Sequence, residues 1–175
     1  PYDASGTDIT DSVAMSVSGN VVSGTENGVT KSYAYDTAGR LTGATIGSDD
    51  FSYSFGAADS SCSAVSGNNT DAGRSGNRSS YTLNSQTETY CYDMADRLMT
   101  SSDDRFTDVE YDSHGNTTSI GDSDHLTTFD YDVNDRNTSI VETYTGQLER
   151  QVDYTRDVSD RLLNRHYKVD RATES

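Results

Sequence analysis

The sequence predicts an all-β protein, an antiparallel meander of repeated β-hairpins that forms a coiled or stacked sheet. A nine-residue phrase occupies residues 33–41 and 90–98, and weaker copies occupy residues 109–117, 129–137 and 154–162. Large apolar residues alternate with small or polar ones at the start of these copies, a period typical of strands. Repetition at a nearly fixed spacing indicates an architecture built from one supersecondary unit.

The first part of each copy predicts a strand. Tyr33 and Tyr35 are two residues apart, so their rings point to the same face of a strand. The same alternation pairs Tyr90 with Tyr92, Val109 with Tyr111, and Phe129 with Tyr131. The intervening residues are small or charged, and we expect them to face solvent: Ala34, Cys91, Glu110 and Asp130.

The middle of each copy predicts a turn. Asp36 suits the first turn position, where its carboxylate accepts backbone N–H groups. Three residues later, Gly39 suits a position with positive φ, which Asp also tolerates. The corresponding leading residues are Asp93, Asp112 and Asp132, and the corresponding positive-φ residues are Asp96, Gly115, Asp135 and Asp160. A second strand then begins near Arg40.

The spacing of the copies indicates two strands and two turns in each period. Asp93, Asp112 and Asp132 lie 19 and 20 residues apart, and Asp36 precedes Asp93 by 57 residues. A worn copy around Phe51 and Tyr53 would fill that wider gap.

We expect a single domain over residues 1–175. Residues 1–32 predict divergent N-terminal strands, in which residues 2–6 echo the repeat. Residues 57–80 are rich in Ser, Gly and Asn and predict either a long loop or a worn repeat. Residues 81–170 are the most regular part, and residues 171–175 predict a loose tail.

Composition limits the partners of the chain. The 175 residues carry a net charge of -16 and only 31% hydrophobic residues, but 12 Tyr, which predicts a thin, Tyr-rich core. Such an acidic protein repels nucleic acid and anionic membranes. No run of residues is apolar enough to span a bilayer. Because the chain begins with Pro1, we expect a processed product or a piece of something longer.

The two cysteines leave the redox state open. Cys62 and Cys91 predict either one disulfide or two free thiols, because spacing in sequence does not give the distance between their Cα atoms.

The repeated phrase resembles the YD repeat of the Rhs/YD-repeat family. Residues 33–41 match Tyr-x-Tyr-Asp-x-x-Gly-Arg-Leu at every defining position, and residues 90–98 differ only at Asp96. The resemblance implies a secreted or surface-exposed protein whose repeats coil into a long sheet that forms a hollow shell. This chain is far shorter than such a shell. The repeat-defining residues are Tyr33, Tyr35, Asp36, Gly39, Arg40, Tyr90, Tyr92, Asp93, Arg97, Tyr111, Asp112, Gly115, Tyr131, Asp132 and Arg136.

The sequence predicts no catalytic residue, no cofactor-binding residue and no metal ligand. His114, His125 and His166 lack the local spacing of zinc ligands. Residues 121–123, Gly-Asp-Ser, match a fragment of some hydrolase motifs, but a turn explains them better. No nucleophile, base and orienting group stand out together, so we expect no enzyme.

One acidic run leaves calcium open. Asp130 to Asp135 resembles the start of a calcium loop. Gly is absent from the sixth position, and Val141 stands at the twelfth position in place of Glu. The repeat explains the same residues without an ion.

Four sequons make N-glycosylation a further hypothesis, at Asn68, Asn77, Asn116 and Asn137. The alternative is that Asn is favoured beside turns whether or not a glycan is attached.

A row of arginines follows the turns: Arg40, Arg97, Arg136 and Arg161. The row could bind an anionic ligand. The acidic net charge favours a structural interpretation, in which each Arg pairs with an Asp of a neighbouring turn and sets the register of the strands.

These observations predict a non-enzymatic, extracellular structural protein that self-associates into a surface fibre or filament, since stacked repeats leave sheet edges open. One alternative is a fragment of a larger YD-repeat shell, of a wall-associated or toxin-delivery protein, with neighbouring repeats as its partners. The other is a module that binds carbohydrate or protein through exposed Tyr.

Overall fold

The chain folds into two antiparallel β-sheets of eight and six strands, which confirms the predicted all-β meander. The computed structural model describes residues 11–103, 106–145 and 147–169. Neither sheet closes on itself, and the described residues contain no α-helix. The echo at residues 2–6 and the predicted loose tail at 171–175 lie outside these ranges. Nowhere in them is there a helix with the length and apolar character that crossing a membrane requires.

The strands of the first sheet follow one another in sequence order, each paired with the next along the chain. They are β1 (Ser12–Met15), β2 (Val21–Glu26), β3 (Val29–Tyr35), β4 (Leu41–Ile46), β5 (Asp49–Ser54), β6 (Ser80–Leu83), β7 (Gln86–Tyr92) and β8 (Leu98–Ser101).

The second sheet follows the same meander. Its strands are β9 (Glu110–Tyr111), β10 (Thr117–Gly121), β11 (His125–Tyr131), β12 (Asn137–Tyr144), β13 (Gln147–Arg156) and β14 (Leu162–Val169). β9 and β14 are its edge strands. The chain divides into two compact units, residues 1–96 and residues 97–175.

The two faces of the second sheet differ in polarity, as the period of two predicts. Across β11 to β14, one row of directly opposed residues is apolar and consists of Phe129, Ile140, Val152 and Tyr167. The adjacent row points to the opposite face and is polar: Asp130, Ser139, Asp153 and His166. Cross-strand pairs of this kind fix register, because a slip of one residue would exchange the two faces.

The core is thin, in agreement with the low hydrophobic content. The buried apolar residues among those described are Ala44, Cys62, Ala72, Tyr90 and Cys91. On the first sheet, the ring of Tyr53 stacks on Tyr81 with 5.6 Å between centroids, and Phe51 lies 6.5 Å from Tyr81. Most tyrosines are half-buried on an open sheet face, so the aromatic rows contribute packing without a closed interior.

Residues 57–79 form a loop with two short 3₁₀ turns, Ser60–Ala64 and Ala72–Ser75, and Ser80 begins β6. A disulfide joins Cys62 to Cys91, with 5.4 Å between their Cα atoms. Closing a loop of 29 residues in this way contributes about 3–4 kcal/mol in the chain-entropy treatment.

The disulfide loop corrects one expectation about the strands. Cys91 is 3% exposed, not solvent-facing, because the loop lies over its face of β7 and the Asn69 N–H donates to the Tyr92 carbonyl at 2.7 Å. Ala34, Glu110 and Asp130, the other residues between the paired aromatics, are exposed as expected.

The predicted positive-φ positions are confirmed in every copy. The φ angles are 80° at Gly39, 60° at Asp96, 94° at Gly115, 59° at Asp135 and 64° at Asp160. Each residue ends the turn between two paired strands. The left-handed conformation costs an ordinary L-residue about 1–2 kcal/mol, and a short polar side chain reduces that cost by bonding locally.

We predict that Gly39→Ala lowers the free energy of unfolding by about 1–2 kcal/mol through backbone strain alone. Space is not the cause, because a Cβ at Gly39 would meet no atom within 4 Å. Gly39→Asp is the matched control and should cost less, since Asp occupies the same position in three other copies. Urea denaturation measures both, and equal losses for Ala and Asp would contradict the explanation.

Candidate functional site

The most elaborate recurring constellation is the turn that begins with the leading Asp, which we call the Asp corner. It comprises five residues from the Asp to the position four residues later, and its copies are residues 36–40, 93–97, 112–116, 132–136 and 157–161. In the first copy, the Gly39 N–H donates to the Asp36 carbonyl and the Asp36 N–H donates to the Arg40 carbonyl, both at 3.0 Å. These two bonds close the turn.

The Asp36 carboxylate accepts three further hydrogen bonds within its own corner. Its Oδ1 accepts the N–H groups of Ala38 and Arg40, both at 2.9 Å. Its Oδ2 accepts Nε–H of Arg40 at 2.7 Å. One carboxylate therefore satisfies two backbone donors that the turn leaves over and holds the first side chain of the return strand.

Two later corners reproduce this arrangement. Asp132 accepts the N–H groups of Asn134 at 2.9 Å and Arg136 at 3.1 Å, and it accepts Arg136 Nε–H at 2.7 Å. Asp157 accepts the N–H groups of Ser159 and Arg161 at 2.9 Å and Arg161 Nε–H at 2.7 Å. The last copy is the most diverged in sequence, yet its corner is complete.

The remaining corners keep the backbone and vary the side chains. Asp112 accepts the N–H groups of His114 and Asn116, and the Asn116 amide takes the place of Arg by donating to Asp112 Oδ2 at 2.9 Å. Asp93 accepts the Ala95 N–H at 2.8 Å, and its carbonyl accepts the Asp96 N–H at 3.0 Å.

Hydrogen bonding keeps the corner carboxylates ionised. The bond from the Arg136 side chain, together with backbone N–H groups, lowers the pKa of Asp132 to about 2. Bonds from Arg40 lower the pKa of Asp36, bonds from Arg161 lower that of Asp157, and the Asn116 side chain lowers that of Asp112. A donor aimed at a carboxylate favours its charged form.

In the first four copies, the Tyr that precedes the leading Asp bonds to a backbone carbonyl at or just before the start of the preceding strand. The hydroxyl of Tyr35 donates to the Val21 carbonyl at 2.9 Å, and that of Tyr131 donates to the Thr117 carbonyl at 3.0 Å. Tyr92 reaches Arg78 and Tyr111 reaches Leu98 in the same way, so the donor always follows its acceptor by 13 or 14 residues. This bond connects one hairpin to the next.

The arginines that follow the turns pair differently from the expectation that each would pair with an Asp of a neighbouring turn. Arg40, Arg136 and Arg161 each pair with the Asp of their own corner. A contact to the next corner accompanies this in one described case, where Arg136 Nη1 lies 3.5 Å from Asp160 Oδ1. Own-corner pairing dominates because the Asp carboxylate already faces the residue four positions later. Arg40 also covers the Phe55 ring at 4.5 Å and donates to the Gly73 carbonyl at 3.0 Å.

The third and fourth corners are joined by polar side chains. Asp135 Oδ1 accepts Asn116 Nδ2–H at 2.8 Å and lies 2.7 Å from His114 Nδ1. This contact raises the pKa of His114, and the same contact, aided by Asn116, lowers the pKa of Asp135.

An aromatic cleft lies on the first unit and was not expected from the sequence. The Arg78 guanidinium lies 5.7 Å from the Tyr53 ring, 5.2 Å from Tyr81 and 4.9 Å from Tyr90, and it donates to the Tyr90 hydroxyl at 3.1 Å. Beside it is a cavity of about 370 Å³ lined by Leu41, Tyr53, Phe55, Arg78 and Tyr92. Arg78 lies outside the repeated phrase, so only the folded chain reveals its position.

The hydrolase-like run at 121–123 begins at the last residue of β10, Gly121, and continues into a turn led by Asp122. Asp122 Oδ1 accepts the N–H groups of Asp124 at 2.8 Å and His125 at 3.2 Å, as in other Asp-led turns of this chain. The three histidines are separate from one another in their contacts: His114 faces Asp135, His125 faces Glu142, and His166 lies 3.8 Å from Asp153.

The calcium-like run and the candidate metal ligands occupy different places. Asp132 is engaged by its own corner, and Asp135 by His114 and Asn116, while calcium binding stays a prediction. Within the described ranges, the group of potential ligand atoms that converges within 4.8 Å comprises His125, Glu142 and Glu149.

The four sequon asparagines are half-buried, and their side chains are largely engaged or enclosed. Asn116 Nδ2 donates to Asp112 and Asp135, and Asn137 Nδ2 donates to the carbonyls of Asp130 and Ser139. The Asn77 Nδ2 and Asn68 Oδ1 atoms are buried. A glycan on Asn116 or Asn137 would displace these bonds, and glycosylation stays a prediction.

Comparison with known proteins adds no family: no protein-family model and no curated protein matches this chain.

We predict that Tyr35→Phe lowers the free energy of unfolding by about 1 kcal/mol, because the Val21 carbonyl loses its hydroxyl donor. Tyr33→Phe is the matched control on the same strand. The Tyr33 hydroxyl makes no hydrogen bond to the described residues, so its removal should leave stability unchanged. Chemical denaturation compares the two, and a larger loss for Tyr33→Phe would refute the assignment.

We predict that carboxyl NMR places the Asp132 pKa near 2 and that Arg136→Gln raises it towards 3.8. Because the folded pKa lies below the unfolded pKa, this carboxylate contributes stability above about pH 4, and the contribution is lost as pH falls through about 2. Arg161→Gln is the control, since Arg161 pairs with Asp157. An Asp132 pKa that is unchanged in Arg136→Gln would contradict the assigned cause.

Proposed function

We propose that this chain is a non-enzymatic, extracellular structural module of the YD-repeat type, whose sheet is continued by strands of identical copies into a surface fibre or filament. The observation that carries the proposal is the state of the strands at the sheet edges.

Strand β14 is long, exposed and without a second neighbour among the described residues. All eight of its residues are exposed, whereas seven of the eight residues of β12, which has a neighbour on each side, are half-buried. Leu162, Leu163, Tyr167 and Val169 expose 52, 64, 51 and 48% of their surface. Such an edge offers backbone donors and acceptors together with apolar area to an added strand.

The first sheet ends in a similar strand. β1 is its first strand among the described residues, all four β1 residues are exposed, and Val13 and Met15 expose 68 and 62% of their surface. Two edges of the same kind, on one chain, permit head-to-tail addition of copies, and an open repeat of that contact gives a filament.

Charge favours a partner strand from a chain like this one. β14 carries Arg165 and Lys168 and no carboxylate, in a protein of net charge -16. Lysine on an edge strand limits uncontrolled pairing, and an acidic partner would neutralise it. An identical copy meets this requirement through its net charge of -16, since β1 itself carries no carboxylate. Neighbouring repeats in a longer YD-repeat chain are the alternative partner, in which case this chain is a shell fragment.

The remaining features agree with a structural role outside the cell. The carboxylates and cations of the corners form hydrogen bonds and ion pairs in the turns, and these contacts stabilise the sheet. The disulfide between Cys62 and Cys91 supports an oxidising compartment.

A binding module is the second candidate, favoured by the aromatic cleft. Tyr53, Phe55 and Tyr92 around Arg78 offer ring faces and a cation to a ligand such as a sugar. Binding of the wild-type chain and of the Arg78→Met variant to a glycan array would test it.

We predict that the purified chain assembles with rising concentration and that Leu163→Lys with Tyr167→Lys suppresses assembly at least tenfold. An added strand would have to desolvate the two new lysines at the edge of β14. The lysines would also repel Arg165 on the same strand. Light scattering and electron microscopy of the full chain measure this.

Val133→Lys with Val158→Lys is the matched control. These two residues are 92 and 103% exposed but lie in turns, so their replacement adds the same charge and should leave assembly unchanged. A wild-type chain that stays monomeric at every concentration would contradict self-assembly and favour the longer-chain alternative.

A further inference from the structure

We propose that His125, Glu142 and Glu149 form a binding site for a divalent transition-metal ion, with Zn²⁺ as the ion that the ligand set fits. The site lies on one face of the second sheet, at the end of strands β11, β12 and β13. It goes beyond the structural role proposed above, and it uses residues that the repeated phrase does not include.

The register of the sheet brings the three side chains together. Glu142 lies opposite Thr127 on β11, and His125 precedes Thr127 by two residues, so His125 and Glu142 share a face. Their side chains already meet, with His125 Nε2 2.9 Å from Glu142 Oε1.

A β-bulge adds the third ligand. Glu142 pairs with Arg150 and Thr143 pairs with Leu148, which leaves Glu149 as the extra residue of β13. A bulge turns the extra side chain away from strict alternation, and here the Glu149 carboxylate comes within 4.8 Å of the other two ligand atoms. Glu149 interacts electrostatically with the neighbouring Arg150 but makes no hydrogen bond or ion pair with the described residues, so binding an ion breaks no hydrogen bond of its side chain.

The chemistry of the donor set matches zinc better than calcium. One imidazole nitrogen and two carboxylates are ordinary Zn²⁺ ligands at 2.0–2.2 Å, whereas Ca²⁺ takes six to eight oxygens. Tetrahedral ligands at that radius lie about 3.3 Å apart, so His125 and Glu142 need to separate by only a few tenths of an ångström. Water would complete the coordination.

Arg150 is the neighbour that decides how Glu142 binds. Its Nε lies 2.7 Å from Glu142 Oε2 in an ion pair, and its Nη2 donates to Glu142 Oε1 at 2.8 Å. The first of these contacts can persist when Oε1 turns to a metal, in which case Arg150 orients the ligand from behind. Zn²⁺ binds the lone pair of His125 Nε2, so the neutral ring carries its one proton on Nδ1, and a doubly protonated ring first releases its Nε2 proton to solvent.

The test is a competition titration of the full chain with Zn²⁺ against a chromophoric chelator. We expect one site per chain, at least tenfold weaker in His125→Ala and in Glu149→Gln. Both substituted residues are exposed, and Glu149→Gln removes no hydrogen bond with the described residues, so circular dichroism should show an unchanged fold. A 100-fold excess of Ca²⁺ should not displace the zinc.

His114→Ala is the matched control. His114 also faces a carboxylate, Asp135, at 2.7 Å, but the third group there is the Asn116 amide, which donates. Its zinc affinity should equal that of the wild type. The proposal would be overturned if the wild type bound no zinc, or if wild type, His125→Ala and Glu149→Gln bound it with equal affinity. Any zinc bound in the second case would be held non-specifically by the 29 acidic residues. NMR should show the His125 ring signals shifting on addition of zinc while those of His114 stay in place.

Discussion

The hydrogen bonds from each Asp carboxylate to its own turn are the interaction on which the rest of this sheet depends. A meander needs a reversal after every strand, and each reversal leaves backbone N–H groups without a ladder partner. Asp36, Asp132 and Asp157 accept two such groups and then hold the Arg that starts the next strand. One Asp side chain thereby stabilises the turn, supplies its negative charge and positions the first residue of the return strand.

This dependence is strong because the interior is small. Few apolar residues are buried within the described ranges, so burial of apolar surface contributes less there than in a protein with a closed core. Exposed ion pairs such as Arg40–Asp36 add little free energy individually. The corners therefore act mainly through geometry, and the Tyr hydroxyl bonds extend that geometry from one hairpin to the next.

The use of the repeated side chains in the turns indicates which parts of the sheet are available for interaction. A sheet that uses its repeated side chains for its own turns has its edges, its bulges and its irregular loop left for interaction. β14 presents an apolar edge, the bulge at Glu149 breaks the alternation of β13, and the disulfide loop borders the Arg78 cleft. Glu149 and Arg78 lie outside the repeated phrase, whereas β14 begins at the last residue of one copy and the cleft also uses Leu41 and Tyr92, which belong to two others.

The features that could be predicted from the sequence are those that depend on interactions between residues close together in the chain. The strands, the turns and the left-handed residues such as Asp96 and Asp135 were predictable, because each depends on neighbours within a few positions of the chain. The main partner of Arg40, Arg136 and Arg161 was predicted wrongly, because sequence does not tell whether a guanidinium reaches its own carboxylate or the next one. Arg136 also makes the predicted contact with the neighbouring corner. The burial of Cys91 was missed because a loop from a distant part of the chain covers it.

For this chain, then, local chemistry read from the residues was enough to establish the repeating hairpin, since period-two alternation and turn propensity act over a few bonds. The choice between disulfide and free thiols, the cleft around Arg78 and the meeting of His125 with Glu142 and Glu149 required the folded sheet. Each of these depends on a distance between residues far apart in sequence, and that distance is set by strand register and by one bulge.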